Sequence, residues 1–201
     1  MEIIFPILIL LLSVVIHELS HGYAAYYLGD PTAKLAGRLT LNPIKHLDPI
    51  GSVLVPLLTY SAGGFIFGWA KPVPYNPYNL RSRYGGAYVA SAGPLSNLLI
   101  AAVFSGLIRF AAGLGLPSTF LGLSALVVLL NLILAVFNLV PVPPLDGSKI
   151  LFSLLPYRYH WLEEWFNRYQ MILLLIILFF LWRLILPVVF FIFHLATGLT
   201  L

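Results

Sequence analysis

The sequence predicts an all-α polytopic membrane protein, with about five to six transmembrane or re-entrant helices and a small β element between the first helix and the second full crossing. Of its 201 residues, 60% are hydrophobic and only 9% are charged, whereas a soluble globular domain carries about a quarter charged residues. Several windows also reach the roughly 20 apolar residues that span a bilayer. We expect residues 1–201 to form one membrane-embedded domain, with core motifs in 10–150 and a C-terminal helical segment in 160–201.

The charge balance is basic, with a formal net charge of +4, and the chain has no cysteine. In a soluble protein such a balance would suggest nucleic acid. Here the basic residues flank apolar segments, which favours a role in membrane orientation. The lack of cysteine excludes disulfides, thiolate metal sites and a cysteine nucleophile. We therefore expect the lipid bilayer as a partner and no nucleic acid, and the sequence leaves the oligomeric state open.

The first apolar segment, residues 3–28, is predicted to be a retained helix. Glu2 is the only charge before it, and neither a basic start nor a small-residue cleavage site indicates a signal peptide. The Gly-Asp-Pro sequence at 29–31 stops this helix. Partial period-two alternation in 34–41 then predicts a short strand. Residues 70–75, with prolines at alternate positions, suit an edge strand or an extended loop.

Residues 47–68 are apolar but contain an aspartate, two prolines and a Gly-Gly pair. These breaks favour a re-entrant hairpin over a straight spanning helix. The charges agree, because a single crossing would split the cations of the flanking loops between the two faces of the membrane. A hairpin keeps them all on one side, which the positive-inside tendency makes cytoplasmic. The stretch 29–83, which includes the loops on both sides of 47–68, holds six of the eleven basic residues: Lys34, Arg38, Lys45, Lys71, Arg81 and Arg83.

Two more spanning helices are predicted, at about 84–112 and 119–139. The segment 149–168 is amphipathic and is expected to lie at the membrane interface. Residues 169–200 are apolar but interrupted by an arginine and a proline. They predict either one kinked helix or a hairpin of two.

The most informative motif is His-Glu-Leu-Ser-His at residues 17–21, inside the first apolar helix. On a helix this spacing places His17 and His21 on one face, about one turn apart, where two imidazoles can bind one zinc ion. Burying ionisable groups in hydrocarbon costs several kcal/mol unless they pair or bind a ligand. Glu18 lies about 100° around the helix from His17. It is predicted to be the general base towards a zinc-activated water and then the proton donor to the leaving amine. The alternative is a polar cluster that satisfies itself between helices.

A third zinc ligand has to come from elsewhere in the chain, because zinc hydrolases usually take three protein ligands and leave a fourth position for water. Asp146 is the best candidate, since it follows a proline-broken helix end and precedes a glycine that frees the backbone to aim it. Under the predicted topology, Asp146 and the histidines lie on the same, cytoplasmic side. Asn138 is a candidate hydrogen-bond donor to the carbonyl oxyanion. Alternatively, Asp146 is a turn aspartate and Asn138 caps its helix.

Residues 17–22, H-E-L-S-H-G, together with 138–147, N-x-x-P-x-x-x-x-D-G, resemble the site-2 protease family of intramembrane zinc metallopeptidases, peptidase family M50. Residues 67–74 and 92–97 resemble the region between these two motifs in that family. The resemblance covers roughly residues 10–150. The chain resembles a short form that lacks the PDZ and CBS domains of some members.

This resemblance implies one Zn²⁺ per chain, bound by His17, His21 and Asp146, with Glu18 catalytic. It implies a multi-pass protein of the cell membrane, with its active site towards the cytoplasm. The substrates would be transmembrane or membrane-adjacent segments of other proteins. Because a helix hides its peptide bonds, an edge strand at 34–41 or 70–75 would hold the unwound substrate by main-chain hydrogen bonds.

The leading hypothesis is therefore an intramembrane zinc metalloendopeptidase. The alternative is a membrane metal-binding or metal-transport protein that uses the same His/Asp cluster, but transport would need polar residues leading to both faces. A catalytically silent scaffold is disfavoured because Glu18 is present. Asn97 is interpreted as a helix-to-helix hydrogen-bonding residue. His46 precedes an Asp-Pro pair in a loop and is interpreted as interfacial. His160 and His194 lack metal-ligand partners at useful spacing and are interpreted as structural.

Overall fold

The computed structural model describes residues 4–63, 68–111, 115–177 and 182–200. Nine α-helices lie within these ranges, with short 3₁₀ turns between some of them and a π-helical turn at Ile50–Leu54 that leads into α3. The α-helices are α1 Ile4–Tyr27, α2 Thr32–Leu35, α3 Val55–Gly63, α4 Gly85–Ala111, α5 Ser118–Asn138, α6 Asp146–Leu154, α7 His160–Arg168, α8 Gln170–Ile176 and α9 Trp182–Thr197.

Three of these helices, α1, α4 and α5, are long and apolar enough to cross a membrane. Their bounds agree with the three segments predicted from the sequence. The other apolar helices of the described residues, Ile50–Ser61 and Arg183–Thr197, are shorter. The expectation of about five to six transmembrane or re-entrant helices was therefore wrong, because an apolar run in the sequence does not reveal how much of it is cut short by prolines and glycines.

The predicted small β element is also wrong, since the described residues contain no strand. In 34–41 a helical turn takes the place of the strand. The N–H groups of Gly37 and Arg38 donate to the carbonyls of Lys34 and Ala33, the pattern of a Schellman motif, and Gly37 has the positive φ of 63° that this motif needs. Local backbone hydrogen bonds thus override the partial period-two pattern.

Residues 70–75 have no regular secondary structure and pair with no strand in the described chain. Pro72 and Pro74 have no N–H to offer to a ladder. The intervening N–H of Val73 is already donated to a side chain, the carboxylate of Glu18. The predicted edge strand is therefore not formed, and residues 70–75 lie in a loop without regular secondary structure.

The segment from Gly51 to Trp69 begins and ends at one place. The N–H of Trp69 donates to the carbonyl of Gly51 at 3.0 Å, and the hydroxyl of Ser52 donates to the carbonyl of Trp69 at 2.8 Å. Gly51 has to be a glycine because a Cβ there would lie against the Trp69 ring. The two ends of this segment are thus joined by hydrogen bonds, and the re-entrant hairpin stays a prediction. Residues 64–67, including Phe67 of the sequence motif, lie outside the described residues.

Helix α4 is the centre of the helical packing, because it contacts α1, α5, α6 and α9. The apolar core lies at one end of this group of helices, with buried residues from α4, α5 and α9: Ala101, Ile108, Val128, Leu132, Ile185, Val189 and Phe193. The other end of α4 meets the middle of α1 and the start of α6. That end carries the polar residues.

The predicted amphipathic segment 149–168 is broken into α6, a 3₁₀ turn and α7. In the apolar segment that follows, the described residues contain α8 and α9, and residues 178–181 between them lie outside the described residues. Helix α9 packs against α5 and α4.

Asp30 is fully buried where α1 ends, and four donors converge on its carboxylate. They are the N–H and hydroxyl of Thr32, the side-chain amide of Asn79 and the N–H of Asn76. Burial raises the pKa of Asp30, but these hydrogen bonds outweigh it and leave the pKa below its usual value. This carboxylate therefore joins the end of α1 to the loop that precedes α4.

We predict that Asp30→Asn lowers the free energy of unfolding at pH 7 by about 1.5–3 kcal/mol, because hydrogen bonds to a charged group are lost. Since the pKa of Asp30 is lowered by folding, its contribution is present above about pH 4 and is lost as the pH falls further. Denaturant unfolding of the detergent-solubilised protein at pH 7 and pH 3 measures both effects. An Asp30→Asn curve that matches the unmodified protein at pH 7 would contradict this role.

Candidate metal centre

The structure brings His17, His21 and Asp146 together, although Asp146 is far from the histidines in sequence. The Nε2 atoms of His17 and His21 are 3.0 Å apart, and each lies 3.0 Å from Oδ2 of Asp146. All three residues are nearly buried, with 6%, 9% and 5% of their surface exposed. Among the described residues, these form the group of side chains with metal-ligating atoms close enough to share one ion.

Hydrogen bonds on the far side of each ring fix which nitrogen carries the proton. His21 donates from Nδ1 to the carbonyl of Val89 at 2.7 Å, and a carbonyl can only accept. His17 donates from Nδ1 to Oδ1 of Asn97 at 2.6 Å. In the neutral imidazole the Nε2 atom is then an unprotonated acceptor, so both Nε2 lone pairs are free for a metal.

The three inward-facing atoms fit a zinc ion. Two imidazole lone pairs and a carboxylate oxygen at mutual distances of 3.0 Å repel one another unless a cation lies between them. A tetrahedral zinc with bonds of about 2.0–2.1 Å would space its ligands by about 3.3 Å, close to the observed separation. Two nitrogens and one carboxylate oxygen also form a donor set found in catalytic zinc sites.

Asp146 is delivered to the histidines by a tight loop between α5 and α6. The N–H of Leu145 donates to Val142, and Asp146 then opens α6. A Cβ on Gly147 would lie against the carbonyl oxygens of Leu139 and Val140, so only glycine fits. The sequence argument expected this glycine to supply backbone freedom; the structure shows that it instead permits a close approach of two chain segments.

Helix α4 presents Gly93 to the site. A Cβ at this position would lie against the Nε2 atoms of both His17 and His21. The absence of a side chain therefore leaves room for the two imidazoles and for an ion between them. This packing explains why a small residue is needed beside Pro94 inside a spanning helix.

Glu18 lies next to the three candidate ligands and is not one of them. Its Oε2 accepts a hydrogen bond of 2.8 Å from the N–H of Val73. A cavity of about 40 Å³ opens beside it and is lined by Glu18, His21, Asp146 and Lys149, among others. A cavity of this size holds water, so the carboxylate of Glu18 can reach a water molecule beside the candidate ligands.

Lys149 lies one turn after Asp146 on α6, and its Nζ is 3.3 Å from Oδ1 of Asp146. The two carboxylate oxygens are thus used differently: Oδ2 faces the histidines and Oδ1 faces the lysine. The lysine side chain is 45% exposed, so this ion pair contributes little to stability.

Asn97 contacts the candidate ligands, a role that the sequence argument missed. It is fully buried, and besides accepting from His17 it donates to Oδ1 of Asn131 at 2.8 Å. Asn131 in turn donates to the hydroxyl of Ser13 at 2.9 Å. This network joins α1, α4 and α5, as expected for a helix-to-helix residue, and it also fixes the His17 ring. Helical periodicity on α4 alone could not reveal that contact.

We predict that Asn97→Ala weakens zinc binding by about 10–100-fold, the usual cost of losing a hydrogen-bond partner behind a metal-ligating histidine. Competition titration with a chromogenic chelator measures the zinc affinity. Ser96→Ala is the matched control, because the Ser96 hydroxyl only donates to Gly93 of its own helix. Equal zinc affinities for the two variants would show that Asn97 does not support zinc binding by His17.

Asn138 is not brought to the metal ligands by any contact that the described residues show. Its side-chain amide donates to the carbonyl of Leu134 at 2.9 Å, within α5. This arrangement fits the alternative in which Asn138 serves its own helix end. A role in binding the oxyanion stays a prediction.

The remaining histidines have other partners. His46 is buried and donates from Nε2 to the carbonyl of Thr40 at 2.8 Å. His160 pairs with Glu163 at 3.0 Å on the exposed face of α7, and Nδ1 of His194 lies 3.1 Å from the carbonyl of Leu199. The contacts of His160 and His194 agree with their structural interpretation, whereas His46, interpreted as interfacial, is buried within the protein.

Comparison with known proteins places the chain in a family. Residues 105–183, which include Asp146, match the family described as Peptidase family M50. The chain is 44% identical over 159 residues to a Bacillus subtilis protein named "Putative zinc metalloprotease YwhC", a match that covers 76% of this chain and 69% of that protein. The chain belongs to peptidase family M50.

Two mycobacterial proteins are also similar, and both are named "Putative zinc metalloprotease Rip2". The Mycolicibacterium smegmatis protein is 33% identical over 150 residues and the Mycobacterium tuberculosis protein 30% identical over 141 residues. Each match covers 70% of this chain but only 53% of the relative, so the chain spans about half the length of these two proteins. No solved structure matches the chain.

Membership of family M50 confirms the family and the enzyme class that the sequence predicted, a zinc metalloprotease with Zn²⁺ as its cofactor. The three long apolar helices confirm a membrane protein. Membership of a peptidase family also implies a protein substrate. The two motifs that carried the resemblance, at 17–22 and 138–147, are the ones that supply the clustered side chains.

Proposed function

We propose that this chain is an intramembrane zinc metalloendopeptidase that hydrolyses peptide bonds in or near transmembrane segments of other membrane proteins. The observation that carries the proposal is the meeting of His17, His21 and Asp146, at 3.0 Å from one another, within a group of apolar helices. Charged or metal-ligating side chains persist in such surroundings only where they pair or bind an ion.

In this proposal His17, His21 and Asp146 hold the ion, and Glu18 performs the proton transfers. Zinc, when bound, supplies Lewis-acid activation of water and of the scissile carbonyl. Glu18 accepts a proton from the attacking water and later donates it to the leaving amine. Its position beside the cavity that His21 and Asp146 also line supports this role.

We further propose that the protein is a multi-pass protein of the cell membrane, with its active site on the cytoplasmic side. The site lies where α1 approaches its C-terminal end, α4 begins and α6 begins after α5. The loops that join α1 to α4 leave from this same end and carry six of the eleven basic residues. Basic loops are retained in the cytoplasm, which supports this orientation.

The test is to map new protein termini in membranes that contain the purified chain. Membranes stripped of metal with a chelator should show no cleavage. After zinc is restored, new termini should appear within spanning segments or within a few residues of them. In parallel, zinc uptake into liposomes that contain the protein should equal that of empty liposomes.

Two results would overturn the proposal. The first is zinc-dependent cleavage confined to sequences far from any spanning segment, which would leave a metalloprotease of another kind. The second is zinc uptake by the liposomes without any cleavage, which would favour a metal transporter.

A further inference from the structure

Residues 71–76 form a segment without regular secondary structure that contacts α1 and offers Glu18 one backbone donor. Pro72 and Pro74 have no N–H, so Val73 supplies the only N–H between Lys71 and Tyr75. That N–H is donated to Oε2 of Glu18 at 2.8 Å, with the two residues 55 positions apart in the chain. The alternation of prolines therefore leaves a single donor in this stretch, and it meets the acidic residue beside the metal centre.

Contacts on both sides hold this segment in place. Lys71 is fixed through both of its backbone groups: its N–H donates to the carbonyl of His46 and its carbonyl accepts from the buried Arg38, each at 2.8 Å. At the other end the N–H of Asn76 donates to the carboxylate of Asp30 at 2.6 Å. The Val73 N–H is thus presented by a segment that is anchored before and after it.

The side chain of Val73 adds a third anchor. It is only 6% exposed, and a Cβ added to Gly22 would lie 2.9 Å from its Cγ1. The glycine that follows the His-Glu-Leu-Ser-His sequence therefore lets the segment lie directly on α1, one turn beyond Glu18.

We propose that the backbone N–H of Val73 is the positioning group for Glu18 in the hydrolytic reaction. The Glu18 side chain has three rotatable bonds, and one hydrogen bond to Oε2 leaves the other carboxylate oxygen as the free acceptor for a proton. Pro72 and Val73 line the same cavity as Glu18, His21 and Asp146. The segment therefore aims the carboxylate at the space beside the metal ligands.

This inference rests on the proposed role of Glu18 as general base. Val73→Pro removes the N–H, while Val73→Ala removes most of the side chain and keeps the N–H. Both variants should hold as much zinc as the unmodified protein, because neither change touches a candidate ligand.

Steady-state cleavage of a membrane-anchored reporter, built from a cut site found by terminus mapping, gives kcat and KM for each variant. We expect Val73→Pro to lower kcat by about 10–100-fold relative to Val73→Ala, with KM within about twofold, since the loss of a supporting hydrogen bond behind an active-site group typically has this effect. Equal kcat values for the two variants would overturn the inference. A rise in KM alone would also overturn it and would point to substrate binding instead.

If Val73→Pro does not fold, Arg38→Ala decides, because it removes the donor to the Lys71 carbonyl, one of the two contacts that fix Lys71, without touching Glu18 or Val73. A lower kcat at unchanged KM and zinc content supports the inference, and an unchanged kcat overturns it. Failure of the proposed function is distinguishable, because the unmodified protein itself would then not cleave the reporter; retained activity of Glu18→Gln would overturn the general-base role of Glu18. An inactive Glu18→Gln variant beside an equally active Val73 pair would overturn the positioning role alone.

Discussion

Glu18→Gln is expected to lower kcat for peptide-bond cleavage by about 10²–10⁴-fold, the usual contribution of a general acid–base residue. The change keeps the size of the side chain and its acceptor for the Val73 N–H, but an amide cannot take up the proton of the attacking water. Because Glu18 lies outside the cluster of His17, His21 and Asp146, zinc content should not change. Cleavage of the reporter and metal analysis on the same sample measure both effects.

Glu163→Gln is the matched control for this variant. Glu163 pairs with His160 on α7, away from the metal ligands, and its side chain is 36% exposed. Its activity should stay within about twofold of the unmodified protein. If Glu18→Gln cleaves the reporter as fast as Glu163→Gln, Glu18 is not the general base.

Asp146→Ala is expected to abolish stoichiometric zinc binding. It removes the carboxylate oxygen that lies 3.0 Å from both Nε2 atoms and leaves two ligands where catalytic zinc sites use three. The affinity should fall further than the 10–100-fold expected for loss of a partner behind a ligand. Activity should be lost with the metal.

Lys149→Ala separates the loss of a ligand from a change in local charge. Lys149 contacts the other oxygen of the same carboxylate at 3.3 Å and is partly exposed. This variant should keep its zinc. Asp146→Ala protein that binds zinc with the affinity of Lys149→Ala protein would show that the third ligand is another residue.

The spanning helices and the clustered side chains were predictable from the sequence because their signals are local. Helix α1 ends at Gly29 through a Schellman motif, with N–H groups of Gly29 and Asp30 donating to Tyr26 and Ala25. The placement of His17 and His21 on one face of α1 follows from helical periodicity alone. Asp146 was found because its loop carries a recognisable pattern of prolines and glycine.

The strand at 34–41 was wrong for a local reason, because a glycine-ended helical turn forms there. The other errors arose where long-range contacts decide the structure. The strand at 70–75 was wrong because two of these residues are prolines and the N–H groups of Lys71 and Val73 are donated to His46 and Glu18. Asn97 was missed as a partner of His17 because the two residues are 80 positions apart. Such contacts depend on how α1 packs against α4, which no local pattern encodes.

Metal analysis of the purified, folded protein tests the central claim most directly. The account predicts one zinc ion per chain in the unmodified protein and loss of that zinc in the His17→Ala, His21→Ala double variant. Folded protein that cleaves membrane substrates with no bound metal would contradict it.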